Sequence, residues 1–208
     1  MQNSLPEKDN NDITIDTYRD RFDVYEANTH REVSGEVQEW VDAFLRSLPA
    51  HASIFEFGSA TGRDARYFNS KGYTVLCTDV IPNALERLQA ENFQTDYFDF
   101  RDEPKVEWLG LFDGVYANGV FVHATRDQFK KNLNTILGIL KPHGVAAISL
   151  KTGKGEEMST EKVDAPRYFR YYSEEEVRMI LNEFPFEIIE ATYSHNGKWL
   201  RLVLKKTI

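Results

Sequence analysis

One stretch of the chain runs from apolar residues through an acid into a glycine-bearing turn and then into a helix-like segment. It covers residues 54–64, with the sequence IFEFGSATGRD. Gly58 and Gly62 can adopt backbone angles that are closed to other residues, so the turn can be tight while its N–H groups face a ligand. A strand, a turn and a helix in this order predict a nucleotide-cofactor site in an α/β protein.

Strand-like and helix-like segments alternate along the rest of the chain. Strands are expected near residues 53–57, 73–78, 93–98, 111–117 and 144–150, with helices near 62–70, 81–91 and 126–140. This alternation favours a parallel sheet with helices on both faces. Near the C-terminus, Asn196 and Gly197 separate two strand-like runs, which is a strong signal for a β-hairpin.

Length and charge limit the class of protein. The 208 residues are enough for one domain with a large core, expected at residues 13–208 behind a polar, disordered tail at residues 1–12. The net charge of −8 argues against a broad phosphate-binding surface, so nucleic acid is a disfavoured partner. No stretch approaches the ~18 continuous apolar residues of a membrane span. We expect a cytoplasmic monomer or homodimer that binds no membrane.

The distance from the glycine turn to the next strand-ending acid indicates which ligand the site takes. Asp79 lies 17 positions after Gly62, where an acid can accept both ribose hydroxyls of an adenosine. In the dinucleotide fingerprint the last glycine falls three positions after the second, whereas Gly58, Ala60 and Gly62 are evenly spaced. An adenosine ligand other than a dinucleotide is therefore favoured.

With Glu56 before the turn, this pattern resembles motif I of the class I S-adenosylmethionine-dependent methyltransferases, acid-x-G-x-G-x-G, with alanine at the middle glycine. Residues 112–118 are similar to the family's strand 4, and residues 139–145 to its L-K-P-G-G turn, with His143 in place of a glycine. The resemblance implies a Rossmann-like fold: a seven-stranded, mostly parallel sheet with an antiparallel C-terminal hairpin strand and helices on both faces. It also implies S-adenosylmethionine as methyl donor and S-adenosylhomocysteine as product.

The resemblance further implies which residues bind the cofactor. Asp79 matches the ribose-binding acid, and Asp96 is preferred over Asp99 as partner of the adenine amino group, with the Tyr97 N–H at a ring nitrogen. The full predicted set is Tyr18, Glu56, Gly58, Ser59, Ala60, Gly62, Arg63, Asp79, Val80, Asp96, Tyr97 and Asn118.

Three members of this set have open alternatives. Glu56 can attract the cofactor's amino group or brace backbone N–H groups of the turn. Arg63 can pair with the cofactor's carboxylate or be an ordinary exposed arginine. Of the two tyrosines in the expected N-terminal helix, Tyr18 is preferred over Tyr25 as the cofactor contact.

The acceptor is expected to lie beyond the end of strand 4. Asn118, His123 and Tyr171 are candidates for contact with it, and a packing role for His123 is favoured over a general base. Methyl transfer can depend on positioning and desolvation alone, so no catalytic residue is assigned. Residues 151–172 are interpreted either as a mobile lid or as a solvated loop. No metal is expected, because the histidines, cysteine and carboxylates lack metal-ligand spacing.

These observations favour a methyltransferase acting on a small molecule by in-line displacement. One alternative is a tRNA or protein methyltransferase that uses the cations of residues 151–172 for recognition. Another is a non-catalytic regulator that senses S-adenosylmethionine or S-adenosylhomocysteine. A nicotinamide oxidoreductase is a more distant alternative.

Overall fold

The computed structural model describes residues 8–208, which form seven α-helices and nine strands. The helices are α1 Asn10–Asp20, α2 Phe22–Ala27, α3 Gly35–Arg46, α4 Arg63–Ser70, α5 Pro82–Ala90, α6 Arg126–Ile139 and α7 Glu174–Leu181. The strands are β1 Ser53–Phe57, β2 Thr74–Asp79, β3 Gln94–Tyr97, β4 Phe112–Asn118, β5 Leu140–Lys151, β6 Glu156–Ser159, β7 Arg167–Arg170, β8 Phe186–Tyr193 and β9 Trp199–Lys206.

Seven of the strands form one sheet in the order β3-β2-β1-β4-β5-β9-β8. The first five are parallel, and β9 lies antiparallel between β5 and β8. The predicted fold class is thereby confirmed. The chain builds outward from β1 to β3 and then crosses to β4, so the direction of winding changes between β1 and β4. Ligands of such sheets bind outside the carboxyl ends of the strands at this point.

Alternate side chains of the central strands enter two cores, one on each face of the sheet. Phe55 of β1 and Val115 of β4 belong to the core under α6, and both are fully buried. Ile54 and Tyr116 point to the opposite face and pack with residues of α3 and α4. Both cores hold the carboxyl ends of β1 and β4 rigidly at the crossover.

The N-terminal helix begins earlier than the sequence predicted. Asp9 caps α1 by accepting a hydrogen bond from the Asp12 N–H at 2.8 Å, so residues 10–12 of the predicted tail are helical. Asn11 is buried because its amide donates to the His123 carbonyl at 2.6 Å and accepts from Gln128 at 2.7 Å. The remainder of the predicted tail, residues 1–7, lies outside the described residues.

Part of the segment predicted as a lid or solvated loop is instead an ordered β-ribbon formed by β6 and β7. The ribbon is fastened to α1: the Tyr168 N–H donates to Thr14 Oγ1 at 2.9 Å, and Thr17 Oγ1 donates to the Pro166 carbonyl at 2.7 Å. Tyr168 and Phe169 of the ribbon are buried against the domain, so this part of the segment is not a solvated loop. Within residues 8–208, no helix is both long and apolar enough to cross a bilayer.

Candidate functional site

A cleft opens at the carboxyl ends of β1, β2 and β4, facing α1 and α2. Its inner part, which is open to solvent, spans about 840 Å³ of space free of protein atoms, and its outer part continues past β4 toward β5 and the ribbon. Residues lining the inner part include Tyr18, Tyr25, Gly58, Ala60, Asp79, Val80, Phe98, Asp99, Phe100, Asn118, Val120 and His123. Residues lining the outer part include Ser59, Arg63, Asn118, Val122, His123, Lys151, Lys162, Arg167, Phe169 and Trp199.

The turn after β1 holds its shape through left-handed backbone angles and close packing. Gly58 and Gly62 have φ of +61° and +74°. A Cβ on Gly62 would lie 2.3 Å from Leu88 Cδ2, and one on Gly58 would lie 2.7 Å from Val120 Cγ2. Ala60, where the motif has glycine, also has a positive φ, of 46°, which is strained for a residue with a Cβ. Gly62 begins α4 beneath the turn and does not line the cleft.

Asp79 occupies the position at the end of β2 that the sequence predicted. Its carboxylate accepts hydrogen bonds from the Ala60 N–H at 2.8 Å and the Ile81 N–H at 2.9 Å, which fix it against the turn. Burial raises the pKa of Asp79, and these backbone hydrogen bonds oppose that shift. A buried carboxylate is thus held at the wall of the inner cleft.

The structure places Asp99 at the cleft rather than Asp96, which the sequence analysis preferred. Asp96 pairs with Lys105, and Tyr97 is 53% exposed; neither lines the cleft. Just after β3 ends, the Phe98 N–H donates a hydrogen bond to the Asp79 carbonyl. This bond places the residues that follow Phe98 at the cleft. Asp99 is 4% exposed there, with Arg101 paired to its carboxylate at 2.7 Å. Asp99 lies after the end of β3, between Phe98 and Phe100, whereas Asp96 lies within β3. This difference in position is the sequence signal that could have identified Asp99.

Glu56 lies beneath the turn, on the sheet face opposite Phe55 and Phe57. It is 3% exposed, and its Oε2 has no hydrogen-bond partner among residues 8–208; the same holds for Ser59 Oγ. Burial and the nearby charge of Asp64 raise the pKa of Glu56 to about 8. Glu56 does not line the cleft, so its place is that of a support below the turn.

Arg63 is neither exposed nor unpaired. Its guanidinium binds Asp64 through two hydrogen bonds, Nε to Oδ1 at 2.7 Å and Nη2 to Oδ2 at 2.9 Å. Asn118 donates to the same Asp64 Oδ2 at 3.1 Å and accepts from Ser149 Oγ at 2.8 Å. This network joins the start of α4 to the ends of β4 and β5, and it neutralises the Arg63 charge at the cleft wall.

His123 forms part of a hydrogen-bonded chain with Tyr18 and Arg167. Its Nδ1 lies 2.6 Å from the Tyr168 carbonyl, an acceptor, so the proton resides on Nδ1. Its Nε2 then accepts from the Tyr18 hydroxyl at 3.0 Å, and that hydroxyl accepts from Arg167 Nη1 at 2.8 Å. Burial lowers the pKa of His123 to about 4. The imidazole is neutral and both nitrogens are engaged.

Tyr171 does not line the cleft, contrary to its selection as an acceptor contact. It follows the end of β7, and its hydroxyl donates to Glu157 of β6 at 2.5 Å. Phe169 of the ribbon and Trp199 of β9 line the outer cleft instead. Trp199 was missed because its strand is distant in sequence and reaches the cleft only through its pairing with β5.

Residues 28–191 match a family described as "Methyltransferase domain". The chain belongs to this methyltransferase family. The matched region contains the glycine turn, Asp79, Asp99 and the end of β4. No curated protein sequence matches the chain. Together, family and fold confirm the predicted class I, S-adenosylmethionine-dependent methyltransferase and its methyl donor.

Solved structures of methyltransferases share the fold. One is the 1,6-didemethyltoxoflavin-N1-methyltransferase of Burkholderia thailandensis with bound 1,6-didemethyltoxoflavin and S-adenosylhomocysteine, at 19% identity and a TM-score of 0.71, covering 99% of this chain and 93% of that chain. Another is the CcbJ methyltransferase of Streptomyces caelestis, at 16% identity and a TM-score of 0.72, covering 92% and 98%. In the described part of this methyltransferase, no group of three or more His, Cys, Asp or Glu side chains is placed to hold a metal ion.

Proposed function

We propose that this methyltransferase transfers the methyl group of S-adenosylmethionine to a small-molecule acceptor and releases S-adenosylhomocysteine. The observation that carries the proposal is the continuous cleft from Asp79, at its inner end, past Asn118 to Phe169 at its outer end. The inner end offers the groups that an adenosine needs. The outer end offers aromatic and charged side chains for a second molecule.

The inner cleft fits the cofactor because its polar groups are few, buried and fixed. Asp79 would accept hydrogen bonds from the ribose hydroxyls, and Asp99 would accept one from the adenine amino group. Phe98 and Phe100, the sequence neighbours of Asp99, line the same part of the cleft. The close-packed turn would bring the backbone of Gly58, which has no side chain, to the cofactor's amino-acid end. When bound, S-adenosylmethionine supplies a methyl group activated by its sulfonium.

The protein's own contribution is to position the acceptor and to exclude water. Asn118 is held in place by Asp64 and Ser149, so its carbonyl group and backbone are fixed at the junction of the two parts of the cleft. His123 has no free nitrogen to act as a general base, which supports a structural role at that junction. Positioning and desolvation then account for the acceleration.

The wall opposite the sheet supports a small acceptor. α1 is joined to the ribbon by Thr14 and Thr17, and Asn11 joins it to His123 in the segment after β4, so distant parts of the chain meet beside the cleft. The Burkholderia neighbour, which binds a small heterocycle, agrees with this proposal. A cytoplasmic location and a monomeric or dimeric state stay predictions.

The first experiment is a calorimetric titration with S-adenosylhomocysteine, with NAD as comparison ligand and Asp79→Ala as binding-deficient variant. One-to-one binding of S-adenosylhomocysteine alone, weakened in the variant, is expected. Transfer of a labelled methyl group is then measured separately on small metabolites, tRNA and protein. Labelling only tRNA or protein would contradict the small acceptor, and binding without transfer to any fraction would favour the sensor.

A further inference from the structure

Three cations in the outer cleft have no carboxylate partner among the described residues. They are Lys151 at the end of β5, Lys162 between the ribbon strands, and Arg167 at the start of β7. The two other arginines of the outer cleft are neutralised, Arg63 by Asp64 and Arg201 by Glu36 at 3.1 Å. The outer cleft, whose lining also includes Glu161, thus holds three basic side chains with no carboxylate at ion-pair distance, although the net charge of the chain is −8.

Arg167 is the central member of this group, which we call the cationic cluster. Its side chain is buried, with the whole residue 4% exposed. Nη1 donates to the Tyr18 hydroxyl, Nη2 donates to the Glu161 backbone carbonyl, and Nε has no partner within residues 8–208. All its acceptors are therefore neutral. A buried guanidinium without a counter-charge is costly, and a bound anion would remove that cost.

The two lysines reinforce the charge and add aromatic surfaces. Lys151 Nζ lies 3.9 Å from the centre of the Phe169 ring, and Lys162 Nζ lies 4.1 Å from the centre of the Tyr25 ring. Reduced hydration, followed by the positive charges of Arg167 and Arg63, lowers the pKa of Lys162 to about 8. Arg167, Lys162 and Lys151 line the same outer cleft, so an anion bound there is attracted by all three charges.

We propose that the methyl acceptor carries an anionic group, a carboxylate in the simplest case, and that Arg167, Lys162 and Lys151 bind it. This inference rests on the proposed function. We assign the cluster to the acceptor because its three members line only the outer part of the cleft, whereas Asp79 lines only the inner part. The cofactor's own carboxylate is the other source of such a group, and the experiment separates the two.

Benzoate and benzamide serve as matched probes, since they share an aromatic ring and differ in charge. Each is titrated at low ionic strength into the full chain, both alone and saturated with S-adenosylhomocysteine. We expect benzoate to bind the saturated protein at least about tenfold more tightly than benzamide, as for charge-assisted hydrogen bonds. Equal binding of both probes, or binding of neither, would overturn the proposal. S-adenosylhomocysteine binding itself is the separate test of the proposed function.

Variants identify the residues responsible. Arg167→Gln and Lys151→Gln should each weaken benzoate binding about tenfold and leave benzamide binding unchanged. Lys154→Gln is the matched control, because Lys154 is exposed on the same segment and does not line the cleft. If Arg167→Gln is poorly folded, Lys151→Gln provides the test. Equal benzoate affinity in Lys151→Gln and Lys154→Gln would remove Lys151 from the site.

The cofactor's carboxylate is tested with 5′-methylthioadenosine, which lacks the amino-acid end of S-adenosylhomocysteine. If the cluster binds the acceptor, Lys151→Gln and Arg167→Gln should leave the ratio of S-adenosylhomocysteine affinity to 5′-methylthioadenosine affinity at its wild-type value. A tenfold loss for S-adenosylhomocysteine alone would show that the cluster holds the cofactor and would overturn the proposal.

Discussion

Asp99 lines the inner cleft with its carboxylate bound by Arg101, whereas Asp96 lies outside the cleft and pairs with Lys105. If Asp99 accepts a hydrogen bond from the adenine amino group, Asp99→Ala should weaken S-adenosylhomocysteine binding by about 1–2 kcal/mol. Asp96→Ala, the matched control, should bind as the wild type does. Calorimetric titration measures both. The reverse ranking of the two variants would restore the sequence-based choice of Asp96.

Glu56 links pH to stability through its buried, raised pKa. The folded protein keeps a proton on Glu56 until about pH 8, whereas the unfolded chain loses it near the ordinary value of 4.5. The folded state therefore binds more protons between these values, and the free energy of unfolding falls as pH rises through this window, by at most about 1.4 kcal/mol per pH unit.

Glu56→Gln removes this titration while keeping the shape of the side chain. Denaturant unfolding of both proteins is measured between pH 5 and pH 8. The free energy of unfolding should fall more steeply with pH in the wild type than in the variant, so the variant gains stability relative to the wild type as pH rises. Groups that titrate in both proteins, such as His123, cancel in the difference. Parallel curves would mean that Glu56 is ionised in the folded protein.

At the scale of elements, α1 and the ribbon are held together by a small number of hydrogen bonds. Thr14 Oγ1 accepts the Tyr168 N–H and donates to the Asn10 carbonyl. Thr14→Val keeps the volume and leaves that buried N–H without an acceptor, at an expected cost of about 1–3 kcal/mol. Hydrogen exchange at the Tyr168 amide should accelerate, and S-adenosylhomocysteine should bind more weakly because α1 lines the cleft.

Thr160→Val is the control for this effect, because Thr160 is exposed in the same segment. It should change neither the exchange of the Tyr168 amide nor the affinity. Unchanged exchange in Thr14→Val would show that the ribbon is held by its aromatic packing alone.

The same elements show what the sequence could and could not predict. Short apolar runs predict the central strands, which are buried on both faces of the sheet, and apolar residues three and four positions apart predict α6, because burial decides these positions locally. The Asn-Gly hairpin likewise predicts the β8–β9 ending. The ribbon was missed because its position depends on α1, about 150 residues away, through Thr14 and Thr17. Asp99 was passed over because only the continuation of pairing past Tyr97 determines which acid reaches the cleft.

At the scale of the molecule, the crossover of the sheet brings together residues from most of the chain. Tyr18 near the N-terminus, the turn after β1, His123 after β4 and Trp199 of β9 all line one cleft. No local pattern contains that set, although each strand end is locally predictable. The resemblance to a known family supplied the number of strands and the antiparallel C-terminal strand, whereas the strand order and the acceptor side of the cleft come from the structure.

Because one ligand would contact so many elements, its binding should be visible in global stability. S-adenosylhomocysteine at 100 times its dissociation constant adds about 2.7 kcal/mol to the free energy of unfolding. For a chain of 208 residues this corresponds to a rise in Tm of about 5–10 °C.

NAD should give no rise in Tm, since the turn lacks the glycine spacing that a pyrophosphate requires. Asp79→Ala at the same ligand concentration should lose most of the rise, because the ligand is then no longer in large excess over its dissociation constant. A rise of similar size with NAD, or one that persists in Asp79→Ala, would place the ligand's contacts elsewhere than on the ribose.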